Sequence, residues 1–363
     1  LAGINKSTAD PAGGKIVRDS LGNAIGVFEE NAELLISKLY DDYKDKWTDA
    51  QKRDYDRKGY LLASEECMKR GITSFYDAGS TFDEIDLLKV LVDSSLIDVR
   101  LDIMLHEPND ILKKKIADYK IKGYGKNHLT VNGIKKYADG ALGSRGAWML
   151  EPYDDLPGAY GQNVTWMEEL KETAQIAKNN GFQLMIHAIG DRANREVLNL
   201  YESVLGKDSK NYRWRIEHAQ HLNPADIGRF GELGVIAAMQ SIHCTSDASF
   251  VVKRIGEKRA EEGAYIWRKL TDSGAIICNG TDSPIEKVNP IPCFYAAVTR
   301  STSDGSLFYP AQKLTRQEAL KTYTINGAYA AFEEDIKGSL KPGKLADFVV
   351  LSNDLLKCSE EEI

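Results

Sequence analysis

Seven short apolar runs separated by helical sequence constrain this chain more than any other feature. They are ITSFYD (72–77), DVRLDIM (98–104), VNGIKKYAD (131–139), FQLMIH (182–187), YRWRIEH (212–218), VIAAMQ (235–240) and AIICNGTD (275–282). Each has the length and the β-branched or aromatic content of a buried strand. Alternation of such runs with helices argues for a parallel sheet. Seven units of this kind predict an α/β fold, a (β/α)8 TIM-type barrel with seven of its eight strands in this chain. A doubly wound sheet is the rival architecture. No run is followed by GxGxxG, so its dinucleotide-binding version has no direct support. The pairs Thr81–Glu84, Thr165–Glu168 and Thr315–Glu318 have capping-box spacing and predict helix starts. KIVRDSLGNAIGVF (15–28) reads as a hairpin around Gly22-Asn23.

The ends of these runs carry the chemistry. His187 and His218 close two successive runs, Lys135 and Asp139 lie on the run 131–139, and Asp282 ends the last. Parallel α/β folds put their chemistry at this end of the strands. Imidazoles and a carboxylate meeting there suit a Zn-type site with an open position for water. Bound water would then have its pKa lowered to about 7, with Asp282 accepting its proton. Bland alternatives stand beside each residue. Two histidines can be satisfied core side chains, Asp282 in TDSP can cap a helix, and Lys135 beside Lys136 can mark a solvated strand edge. Gln240 and His243, just past the run 235–240, are candidate substrate contacts, His243 as an oxyanion donor or as an ordinary loop histidine. Arg145, in the long loop after the run 131–139, is placed to clamp a carboxylate or carbonyl, or to be paired structurally. His221, three residues after His218, reads as a neighbour of the site or a surface residue, and His106 and His128 have no partners in the sequence.

Composition narrows the classes. The chain has 363 residues, 47 basic and 54 acidic, with a net charge of −7 and no basic stripe. This gives no support to nucleic-acid binding. No apolar run approaches a membrane span. The five cysteines are widely spaced and lack CxxC, which predicts reduced thiols and a cytoplasmic setting rather than a disulfide framework.

The segments KKYADGALGSRGAWMLEPY, HAIGDRANREV, RIEHAQHL, AAMQSIHCTSDA, NGTDSPI and GSLKPGKLADFVVL occur in an order that resembles the amidohydrolase superfamily. The resemblance is to the subgroup that includes N-substituted formamide deformylase, and it runs nearly the full length. It implies a barrel over residues 1–335, with the hairpin 15–28 inserted, and a strand of a small β-sandwich domain within 336–363. It implies hydrolysis of a non-peptide, amide-like C–N bond by a metal-bound hydroxide, with one or two divalent ions, zinc foremost. His187 and His218 match the metal-binding histidines ending strands 5 and 6. Asp282 matches the strand-8 aspartate that touches the metal or its water and moves the proton. Lys135, favoured over Lys136 by the KxxxDG spacing, matches a strand-4 lysine that is carboxylated in related enzymes. The expected partner is a small amide-like molecule, and a homodimer is expected from the family. One departure stands out. The family's strand 1 carries an HxH pair, and none of the six histidines here forms one. With seven runs counted and Leu1 at the start, the expectation is that an upstream segment holding strand 1 is absent. A homologue without HxH is the alternative. An N-acyl amino-acid deacylase or cyclic amidase on the same barrel, and a non-catalytic barrel, are the competing functions.

Overall fold

The computed structural model describes residues 2–363. Its strands are β1 (Gly14–Arg18), β2 (Ala24–Glu30), β3 (Ser74–Ser80), β4 (Arg100–Leu105), β5 (Ile121–Gly123), β6 (Leu129–Tyr137), β7 (Gln183–Ala188), β8 (Arg215–His218), β9 (Ile236–Met239) and β10 (Ile277–Asn279). β1 and β2 pair antiparallel as a separate hairpin. Its turn is closed by the Asp19 carboxylate, which accepts from the Leu21 and Asn23 amides. The others form one sheet in the order β10-β9-β8-β7-β6-β4-β3, with the short β5 antiparallel against β6. All neighbouring pairs along that order are parallel.

Parallel strands joined by helices are covered on both faces, and their sequences read as continuous apolar runs. In β6 only Asn132 and Tyr137 escape burial. Helix Phe82–Asp93, between β3 and β4, turns Phe82, Ile85, Leu88, Leu91 and Val92 inward. That spacing is one stripe of a 3.6-residue repeat. Its first turn is fixed by the Thr81–Glu84 capping box. The sheet is curled. Tyr76 on β3 packs against Ile236, Ala238 and Cys278 of β9 and β10, and the Arg215 guanidinium of β8 lies 4.7 Å from the Tyr76 ring centroid. Strands from the two edges of the sheet therefore share one interior, as in a barrel.

One local expectation is corrected. Thr165 does not cap the next helix, which spans Met167–Asn180 with Trp166 in the capping position and no side-chain bond. The loop holds Val164 to the Ala138 carbonyl at 2.9 Å, so the chain enters the helix one residue later. The tail 336–363 contains no strand. Its apolar residues find no sheet partner among the described residues, and Phe348 and Val350 stay exposed. The tail is instead held by ionic and carbonyl contacts. Asp347 pairs with Arg100 at 2.7 and 2.9 Å, and Arg316 donates to the Leu355 and Cys358 carbonyls.

Candidate metal centre

The register of the parallel strands sets the site. Tyr137 lies opposite His187, and Ala188 opposite His218, so successive strand ends stand side by side. The rings form a continuous row. Centroids are 5.4 Å apart for His106–Tyr137, 5.3 Å for Tyr137–His187, 4.5 Å for His187–His218 and 6.1 Å for His218–His243. His218, at φ 75°, and Asp282, at φ 59°, both hold left-handed backbone conformations. Such conformations cost about 1–3 kcal/mol each outside glycine and cluster at functional sites.

Nδ1 of His218 donates to Oε1 of Gln240 at 2.7 Å. The amide oxygen can only accept, so the proton sits on Nδ1 and Nε2 keeps its lone pair. Burial lowers the His218 pKa to about 4 against the opposing charge of Asp282. Burial also places His187 well below the ordinary histidine value, with the charges of His218 and Lys135 adding to it. Both rings are therefore neutral at pH 7, as metal ligands must be. Asp282 accepts from Nε2 of His243 at 3.1 Å, and Glu286 stands 3.8 Å from His243 Nδ1. Burial works against the Asp282 carboxylate. The His243 hydrogen bond and the charges of His218, His243 and Lys135 outweigh it and keep its pKa below the usual range.

Ligand atoms of His218, His243 and Asp282 all lie within 4.8 Å of one another. Nε2 of His187 is buried with no hydrogen-bond partner, and Oδ1 of Asp139 is 3.6 Å away. His243 Nε2 gives its hydrogen to Asp282, so the free donors are Nε2 of His218, a carboxylate oxygen of Asp282 and the orphaned Nε2 of His187 beside them, a set that fits a divalent metal ion.

Alternation along β6 separates the two lysines. Lys136 turns away, donating to the Glu107 carbonyl at 3.1 Å and facing Glu169 at 3.5 Å. Lys135, 3% exposed, lies 4.5 Å from the Tyr137 ring centroid. Burial brings its pKa down to about 8 against the charges of Glu217 and Asp282. The solvated edge is thereby excluded, since β6 is central and both lysines are buried. Glu217 itself grips Arg215 through two bonds of 2.8 and 3.0 Å. Asp139 accepts from the amides of Trp148, Ile189 and Gly190 at 2.8–2.9 Å. This sews the long loop after β6 to the end of β7.

Several candidates find other places. Arg145 is no free clamp, because it closes a two-pronged pair on Asp155 at 3.0 and 2.9 Å, and Asp155 is also held by Arg254. Gln240 holds His218, and His243 faces Asp282 rather than open loop. Asp282 caps no helix: only a turn follows it, with the Ile285 amide bonded to its backbone carbonyl. His221 is buried, with a pKa brought down to about 3 by burial and Arg259. The Gln240–His218 bond and the placement of His106 against Tyr137 were not visible in the sequence. The only signal was that each residue follows a strand.

A family model described as the amidohydrolase family matches residues 1–363. The chain belongs to the amidohydrolase family. Among similar proteins, Protein LONG AFTER FAR-RED 3 of Arabidopsis thaliana is 34% identical over 98% of this chain and 61% of its own length. N-substituted formamide deformylase of Arthrobacter pascens is 27% identical over the whole chain and 67% of its length. Among solved structures, an uncharacterized metal-dependent hydrolase from Pyrococcus furiosus superposes with a TM-score of 0.76 at 28% identity, covering 94% of this chain and 67% of that one. The chain thus spans 61–67% of the length of these relatives.

Proposed function

We propose that the protein is a metal-dependent hydrolase that cleaves a non-peptide C–N bond in a small amide-like substrate. The observation that carries this reading is the convergence of His218, His243 and Asp282 within 4.8 Å at the strand ends, with His187 beside them. His187, His218 and Asp282 would hold the ion, zinc by the chemistry of the donors. When bound, such an ion supplies Lewis acidity toward the substrate carbonyl and lowers the pKa of water toward 7.

The chain's own residues do the rest. Asp282 takes the proton of the attacking water and returns it to the leaving nitrogen. His243, donating to Asp282 at 3.1 Å, keeps that carboxylate ionised and oriented until it is needed. Gln240 holds the His218 tautomer. Lys135, with its pKa near 8, keeps a neutral-amine fraction at pH 7–8. Addition of carbon dioxide to that amine forms an N–C bond and releases one proton, giving an anionic carbamate suited to a second ion. With Arg145 closed on Asp155, the carboxylate of an N-acyl amino acid has no partner there, which favours a simple amide over that alternative.

The test is release of amine from N-butylformamide. Hydrolysis that stops on chelation, returns with zinc, and falls at least about 100-fold in Asp282→Asn is expected. Turnover that persists in the chelated protein, or in Asp282→Asn at the wild-type rate, refutes the proposal.

A further inference from the structure

We infer that His106 is a substrate-contacting residue that accepts a hydrogen bond from the N–H of a monosubstituted amide. This rests on the hydrolase reading above. His106 follows β4 directly, at the same end of the sheet as the metal centre. Its backbone is fixed, because its amide donates to the Ser80 carbonyl at 2.9 Å. Its ring is fixed as well. Nδ1 bonds the Lys135 carbonyl at 3.1 Å, and the ring meets Tyr137 edge-on at 5.4 Å between centroids.

A carbonyl oxygen only accepts, so in the neutral ring Nδ1 carries the hydrogen and Nε2 carries a lone pair. No described residue donates to that nitrogen, and His106 is exposed. His187, His218 and His243 are more buried. The row of rings therefore begins with an oriented, accessible acceptor and ends at the donor set. A pre-set acceptor recognises a donor hydrogen, and the amide hydrogen is the donor on a simple amide. A tertiary amide has none.

The experiment compares N-butylformamide with N-butyl-N-methylformamide on the metal-loaded chain, with metal content measured for each variant. The wild type is expected to favour the secondary amide by about tenfold in kcat/KM. His106→Ala is expected to bring that ratio to within twofold, acting through KM, with metal content and turnover of the tertiary amide unchanged. His106→Gln, which keeps an acceptor oxygen, is expected to restore part of the preference. A preference equal in wild type and His106→Ala, or absent from the wild type, overturns the assignment and leaves the hydrolase reading standing. A metal-loaded wild type that hydrolyses neither amide overturns the hydrolase reading, and the assignment falls with it.

Discussion

Replacing Gln240 by leucine removes the partner of the His218 Nδ1–H and leaves the strand ends otherwise intact. The bond is 2.7 Å long and His218 is 8% exposed, so water is a poor substitute. Leaving the donor unpaired costs about 1–3 kcal/mol. The ring escapes that cost by moving its hydrogen to Nε2, which removes the lone pair offered to the donor set. Either route weakens the site. Loss of the partner that orients a metal-binding histidine lowers metal affinity by about 10- to 100-fold, equivalent to about 1.4–2.7 kcal/mol. Calorimetric titration with zinc gives the affinity, and nitrogen-15 NMR of the imidazoles gives the tautomer. Gln240→Glu keeps an acceptor and should bind within about threefold of wild type. A Gln240→Leu protein with an unchanged dissociation constant and with Nδ1 still protonated would refute the argument that Gln240 sets the ligand nitrogen.

Two further predictions concern the barrel interior. Asp102 is 2% exposed with both carboxylate oxygens unpartnered. Burial, aided by Glu333, raises its pKa from 3.8 to about 7. A raised carboxyl pKa means that the folded state holds the proton more tightly, so the stability contributed by Asp102 is fully present below about pH 4 and is lost as pH rises through 7. Some three pKa units correspond to about 4 kcal/mol at most. Asp102→Asn should therefore flatten the stability profile in urea between pH 4.5 and 8 and be the more stable protein at pH 8; parallel profiles count against this. Glu217→Gln leaves the buried Arg215 guanidinium without its carboxylate and should cost about 3–5 kcal/mol in urea unfolding. A loss below 1 kcal/mol would mean that the pair is not needed to hold Arg215.

The seven parallel strands were legible because most are buried and rich in apolar residues, although β3, at the end of the strand order, is only partly buried. The placement of His187, His218 and Asp282 on one rim was legible for a related reason: strand ends in a parallel sheet share it. What the sequence hid depends on partners far along the chain. His106 bonds the carbonyl of Lys135, 29 residues on, and a main-chain acceptor leaves no mark in a side-chain pattern. Gln240 meets His218 across neighbouring strands. Arg145 looked free because Asp155 approaches it only through the fold of the loop. Thr165 had the spacing of a cap, but the pull of Ala138 on Val164 decided the helix start.

Metal binding at the strand ends tests the central claim most directly. The protein, stripped with a chelator, is titrated with cobalt(II) while the visible spectrum and bound stoichiometry are followed, alongside His218→Ala and Asp282→Ala. The account predicts at least one tightly held ion in the wild type, with nitrogen-ligand d–d bands that are lost or shifted in both variants. An ion that binds with the same spectrum and affinity in His218→Ala, or a wild type that retains less than a tenth of an equivalent, would contradict it.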